Sequence, residues 1–130
     1  MTESPSTAVD RFLAAVSSAS IRDCDAWSDD AILDATVPNW RFHRRGAAEI
    51  KDTFAGWFAD PAQFEELERF PVEGGEIVRY LLSWTEKGVP HTAHHLHQLR
   101  VKNDRIVADV AMCGGRWPAS LMAEMEAADA

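Results

Sequence analysis

His95 and His97 stand two apart in a run over 91–101 that reads as a β-strand, so both imidazoles leave the same face. An imidazole gives or takes a proton near neutral pH, which suits enolisation, dehydration or hydration chemistry. The plainer use of such a pair is as wall or core histidines tied to backbone groups. His95-x-His97 also presents two metal ligands on one face, and His94, Asp109 or Cys113 would add a third. That spacing is common by chance and no structural-zinc pattern accompanies it, so no metal or other cofactor is expected.

Two carboxylates are candidates to work with the histidines. Asp109 lies in a run over 105–113, joined to the histidine strand through Asn103-Asp104, where a two-residue hairpin turn belongs. Plain pairing across that turn puts Ile106, Ala108, Val110 and Met112 on the histidine face and leaves Asp109 outside. One extra residue in the last strand flips Asp109, Ala111 and Cys113 inward. The bulged register is the one adopted here, with Asp109 as partner of His97 and Asp34 as runner-up. Asp34, in a strand over 31–37, would serve as base or acid if it were buried. Strict alternation turns it away from Leu33 and Ala35, toward an edge or an interface. Cys113 lacks a cationic flank before Arg116, and would be a nucleophile only beside His94 or His95.

These side chains must be held by a small set of elements. Over 7–19, Val9, Phe12, Leu13 and Val16 share a helical stripe, and a shorter helical piece is expected over 23–28. A strand over 31–37 stops at Pro38-Asn39, an extended piece follows over 40–45, and Ile50, Phe54, Trp57 and Phe58 mark a helix over 47–58. Runs over 64–72, 76–85, 91–101 and 105–113 are strands separated by turns at Gly74-Gly75, Lys87-Gly88 and Asn103-Asp104, and Gly114-Gly115 ends the last. An amphipathic helix over 118–126 closes the chain. Helices first and antiparallel strands after make an α+β fold.

The chain has 130 residues, enough for one domain over 1–130 with a core spanning about 8–117 and no disulfides. With 46% apolar and 26% charged residues it is globular rather than disordered. Its net charge of −8 argues against nucleic acid and anionic membranes as partners. No apolar run spans a bilayer, the start Met1-Thr2-Glu3-Ser4-Pro5 has no export signal, and Cys24 and Cys113 form no framework, so a cytoplasmic location is expected.

The order of these pieces resembles a known family. Helix, short helix, Asp29-Asp30-Ala31 into a strand, Arg45-Gly46-Ala47-Ala48-Glu49-Ile50 opening a helix, then hairpins ending Val101-x-x-x-Arg105-Ile106, is similar to the nuclear transport factor 2-like superfamily and its SnoaL-like group. The match covers roughly residues 8–117 and rests on order and spacing, since no single motif is diagnostic. It implies a curved antiparallel sheet wrapped around the helices (a cystatin-like α+β roll) that leaves a conical pocket, with dimers formed through the outer sheet face. Ketosteroid isomerase, scytalone dehydratase, limonene epoxide hydrolase and polyketide cyclases share this fold with many non-enzymes, so fold is implied and function is not. Against the ketosteroid isomerase pattern, His97 falls where that enzyme keeps a hydrogen-bond-donating aspartic acid and Trp84 falls on an apolar wall. The general-base position lands on Ala35, beside Asp34. Phe12 stands near the place of the tyrosine donor, and the only tyrosine is Tyr80, so steroid isomerisation is not expected.

Alternation sets Val78, Tyr80, Leu82 and Trp84 on the concave side with His95 and His97. Trp40, His43, Trp57 and Trp84 are candidates for an aromatic cage around a flat apolar ligand, although helically spaced aromatics such as Trp57 are usually core. Arg41, Arg44 and Arg45 have Asp29, Asp30 and Glu49 nearby, which favours a solvated ion-pair cluster over an anion site. Three functions are compatible with this pattern. One is a cofactor-independent acid–base enzyme (isomerase, dehydratase, cyclase or hydrolase type) acting on a small hydrophobic molecule through His97 with Asp109 or Asp34. The others are a binder with the same pocket, and a dimerisation module filled by its own side chains. A homodimer through Leu81, Arg79, Leu96, Gln98 and Arg100 is expected in each case.

Overall fold

The structure, a computed structural model, describes residues 4–130; Met1, Thr2 and Glu3, read above as part of a frayed start without an export signal, lie outside the described residues. Helix α1 (Thr7–Ser18) forms on the predicted stripe and buries Val9, Phe12, Leu13 and Val16. Ser6 caps it by accepting from the Ala8 N–H, and Ala19 closes it in the left-handed region at φ 56°. The helical piece expected over 23–28 is only a 3₁₀ turn, Ile21–Asp23. The chain is already extended by β1 (Trp27–Val37), because the Ile106 N–H bonds the Ala26 carbonyl at 2.7 Å and draws Trp27 alongside the last strand.

After β1 come β2 (Trp40–Arg45), α2 (Ala47–Trp57), β3 (Gln63–Val72), β4 (Gly75–Glu86), β5 (Val89–Lys102), β6 (Arg105–Pro118) and α3 (Ala119–Asp129). The strands form one curved, unclosed sheet in the order β2-β1-β6-β5-β4-β3. Its hairpins are antiparallel, as expected. The β1–β6 pairing is parallel, which makes the sheet mixed rather than antiparallel throughout. The difference arises because β6 returns beside β1 at the end of the chain, so no hairpin dictates its direction. Helices α1 and α2 pack on the concave face, where Phe12, Trp27 and Phe54 meet with ring centroids 5.5–6.0 Å apart. Buried Glu76 of β4 accepts from the Ser6 N–H at 3.1 Å and from Arg69 Nε at 2.5 Å, which ties the start of α1 to the sheet.

Two expectations at the C-terminal end fail. Gly114-Gly115 does not end the strand, since β6 runs on to Pro118. The last helix buries none of its residues, so it is not the amphipathic closure predicted. Among the described residues, no helix is long and apolar enough to cross a membrane.

Candidate active site

The site is built by two register shifts in β6. At the first, Val101 faces Ile106 while Arg100 faces Ala108, so Val107 is an extra residue. Every later residue of β6 changes face: Asp109 now opposes Leu99, Ala111 opposes His97, and Cys113 opposes His95. At the second shift His95 faces Cys113 but Ala93 faces Arg116, which leaves one residue of Gly114-Gly115 in excess and brings Arg116 onto the inner face. Gly115 sits at φ +125°, and a Cβ there would lie 2.8 Å from the Trp117 indole nitrogen, so this bend needs glycine.

The β4–β5 hairpin supplies the rest. Its tight turn sets Tyr80 opposite His95 and Val78 opposite His97. A continuous hydrogen-bonded line results. Asp109 Oδ1 accepts from His97 Nδ1 at 2.9 Å, His97 Nε2 lies 2.9 Å from the Tyr80 hydroxyl, and that hydroxyl lies 3.0 Å from His95 Nδ1. Asp109, His97, Tyr80 and His95 are all buried. Phe12 and Phe54 pack edge-on against His97, while Trp57 and Phe58 pack against His95. The second carboxylate oxygen, Asp109 Oδ2, is buried with no partner among the described residues.

The line ends at a cavity of about 160 Å³ bordered by Val37, Pro38, Trp57, Phe58, Leu82, Trp84, Ala93, His95, Cys113, Gly115 and Arg116. With Nδ1 taken by Tyr80, Nε2 is the His95 nitrogen left for a molecule in that space. Burial in this apolar wall, with the neighbouring His97 adding to it, pushes the His95 pKa down to about 3. Burial carries the Tyr80 phenol well above its ordinary value, with the Asp109 charge acting the same way. Burial also raises the Cys113 thiol, so it does not present a ready thiolate.

The low His95 value has a consequence for stability. In the unfolded chain this histidine takes up a proton near 6.5, and in the folded protein only near 3. The unfolded state therefore binds more protons throughout that window. The stability is intact above 6.5 and is lost as pH falls toward 3, by about 1.4 kcal/mol per pH unit. Urea midpoints measured from pH 7 to pH 4 should fall for the wild type and fall less steeply for His95→Gln. Parallel curves for the two proteins would contradict this.

The structure separates the sequence-predicted residues into two groups. His95, Trp57, Trp84 and Cys113 border the cavity, and Tyr80 and His97 stand behind it with Asp109. His97 is wholly enclosed, because Tyr80 and the α1 and α2 aromatics cover it. Asp34 lies on the opposite face of the sheet, where it accepts from Arg41 Nε and NH2 at 2.9 and 2.7 Å and faces His43 at 3.6 Å. Those arginine bonds hold its carboxyl below the usual range, so Asp34 is corrected from catalytic candidate to outer-face ion pair. His43 goes with it, since alternation in β2 places it opposite Asp34. Trp40 is 69% exposed at the β1–β2 turn and does not reach the cavity. Arg116 was missed, because the double glycine before it reads as a stop. Tyr80's bridging role was legible by counting residues across Lys87-Gly88.

No protein-family model matches the sequence, and no curated protein matches it. Solved structures match in fold. An NTF2-like protein of unknown function from Mesorhizobium loti superposes with a TM-score of 0.65 at 18% identity, covering 88% of this chain and 100% of that one. An NTF2-like protein from Anabaena variabilis gives 0.69 at 13% identity, with 84% and 85% covered. An LEH-like epoxide hydrolase from M. tuberculosis gives 0.63 at 16% identity, with 82% and 80% covered. The chain thus has the nuclear transport factor 2-like α+β fold that the order of its elements implied. That fold carries both enzymes and proteins without known activity, so chemistry must come from the site itself.

Proposed function

We propose that the protein is a cofactor-independent enzyme that transfers a proton on a small, largely apolar substrate, with His95 as the group that touches it. The observation that carries this is the unbroken line Asp109–His97–Tyr80–His95 ending at the cavity. With one N–H on each ring, His97 donates to Asp109, Tyr80 donates to His97 Nε2, and His95 donates to Tyr80 through Nδ1. His95 Nε2 then offers a lone pair to the cavity. When Nε2 takes a proton from the substrate, the Nδ1 proton passes to the Tyr80 oxygen and the Tyr80 proton passes to His97 Nε2. Positive charge resting on His95 is disfavoured by burial; the line delivers it to His97, against the Asp109 carboxylate. The reverse sequence returns the proton at another position, as an isomerase, dehydratase or cyclase requires.

His97 and Asp109 are in this scheme positioning residues, and His95 is the catalytic residue. A binder needs the cavity but not the line behind it, since buried polar chains are costly unless used or fully satisfied. A self-filled dimerisation module is disfavoured by the open space beside Trp57 and Trp84. The test uses cyclohexanone, a ring ketone that fits the cavity. Wild-type protein in deuterium oxide should exchange its α-protons faster than an equal concentration of free imidazole, followed by proton NMR. Exchange no faster than that would overturn the proposal.

Homodimerisation belongs to the same reading. Ile32, Leu96 and Met112 stand exposed on the convex face across β1, β5 and β6, with Leu96 directly opposite Met112. Arg79, one of the expected contacts, is held beside them by Glu66, Glu68 and His94. Light scattering at micromolar concentration should give twice the chain mass, and Leu96→Glu should halve it; a monomeric wild type would reject the dimer.

A further inference from the structure

We propose that the natural substrate is a single-ring compound carrying a carboxylate, the ring inside the cavity and the carboxylate on Arg116 at its edge; this rests on the acid–base proposal and adds the substrate class. Size is the first support. Apolar cavities of roughly 150 Å³ hold benzene, and the space here is about 160 Å³. A fused tricyclic or steroid body is larger than a benzene-sized space. The wall of Trp57, Phe58, Leu82 and Trp84 suits a ring face.

Charge is the second support. Arg116 is the one cationic side chain among the residues bordering the cavity, where His95 is neutral. Its guanidinium stacks 5.1 Å from the Trp84 ring centroid, which holds the plane at the edge of the space. NH2 is committed to Glu86 Oε1 at 2.5 Å, while Nε and NH1 have no hydrogen-bonded partner among the described residues. Each edge of the guanidinium pairs NH2, whose second hydrogen Glu86 leaves over, with Nε–H or NH1–H, and such an edge matches a carboxylate's two oxygens. Arg116 reaches this place only through the Gly114-Gly115 bulge, so β6 spends a second irregularity on setting a cation there. The net charge of −8 makes the chain as a whole repel anions, and a local arginine is what an anionic substrate then needs.

The experiment compares cyclohexanone, 4-oxocyclohexanecarboxylate and a two-ring decalone carboxylate by calorimetry and by deuterium exchange. The monocyclic keto acid should bind at least tenfold tighter than cyclohexanone, and Arg116→Gln should erase that preference, read as the ratio of the two affinities measured on the same variant. Equal affinity for the two monocycles, or a preference that survives Arg116→Gln, would overturn the carboxylate. Decalone carboxylate binding as tightly as the monocycle would overturn the size limit. Exchange of cyclohexanone by the wild type separates the two levels: if it persists while the carboxylate preference fails, only this inference falls. If the keto acid binds through Arg116 and no exchange occurs with either ketone, the acid–base proposal falls and the ligand class stands.

Discussion

Replacing His97 by alanine is expected to destabilise the fold by about 3–5 kcal/mol, the range for removing one member of a buried ion or hydrogen-bonded pair. His97 and Asp109 are both fully enclosed, and the imidazole is the only hydrogen-bond partner of the Asp109 side chain among the described residues. Alanine leaves that carboxyl with neither oxygen satisfied, on a residue flanked across the sheet by Leu33 and Leu99. It also opens a cavity where a ring packed against Phe12 at 5.1 Å. The control is a double variant, His97→Leu with Asp109→Leu, which removes both polar groups and refills the space. It should lie within about 1–2 kcal/mol of the wild type, since a buried pair exchanged for apolar groups is often close to neutral. Urea unfolding followed by tryptophan fluorescence reads both. A single variant as stable as the wild type, or a double variant worse than the single one, would show that the pair is not isolated from water.

His95→Gln should slow cyclohexanone exchange by about 10²–10⁴-fold, the usual worth of a positioned general base. Glutamine keeps a polar group near Tyr80 but has no ring nitrogen to take a proton. The companion variant Tyr80→Phe keeps the ring, which stacks on His97 with an interplanar angle of 22°, and removes only the hydroxyl that joins the two histidines. Left alone, His95 is a weak base, because the charge it gains has nowhere to go. Tyr80→Phe should therefore lower kcat and leave KM nearly unchanged, which a merely structural hydroxyl would not do. If Tyr80→Phe exchanges cyclohexanone as fast as the wild type, the relay is wrong even where His95 remains essential.

Strand alternation was enough to place much of this site. Tyr80, Trp84, His95 and His97 share the concave face because residues two apart must, and no tertiary contact alters that. The helical stripe with Phe12 and the spacing of Phe54 and Trp57 were equally readable, since the 3.6-residue period is local. What local rules could not decide was the phase of β6. Val107 has no sequence mark as an extra residue, and Gly114-Gly115 looks the same as a terminating turn and as a bulge within a strand. Asp109 was therefore open between two faces, and Arg116 was overlooked. The phase of β1 was readable and correct for Asp34, whose neighbours Leu33 and Ala35 face inward. Its candidacy came from proximity to a family position, which sequence distance alone does not support. Trp40 and His43 failed because a proline turn near a rim says nothing about which way the following strand faces.

The two irregularities of β6 also bear on how such a protein changes over generations. Deleting the single codon for Val107 would remove the first bulge and still leave Asp109 opposite Leu99, so the polar interior would survive the loss. Losing one glycine of the Gly114-Gly115 pair would likewise leave Arg116 opposite Ala93, on the face it already occupies. Each event leaves the hairpins and the helical layer in place, because only a residue without a cross-strand partner is lost. A lineage built on this scaffold can thus shorten β6 at either irregularity and keep the same side chains turned inward, whereas loss of an ordinarily paired residue such as Val110 reverses the face of those that follow it.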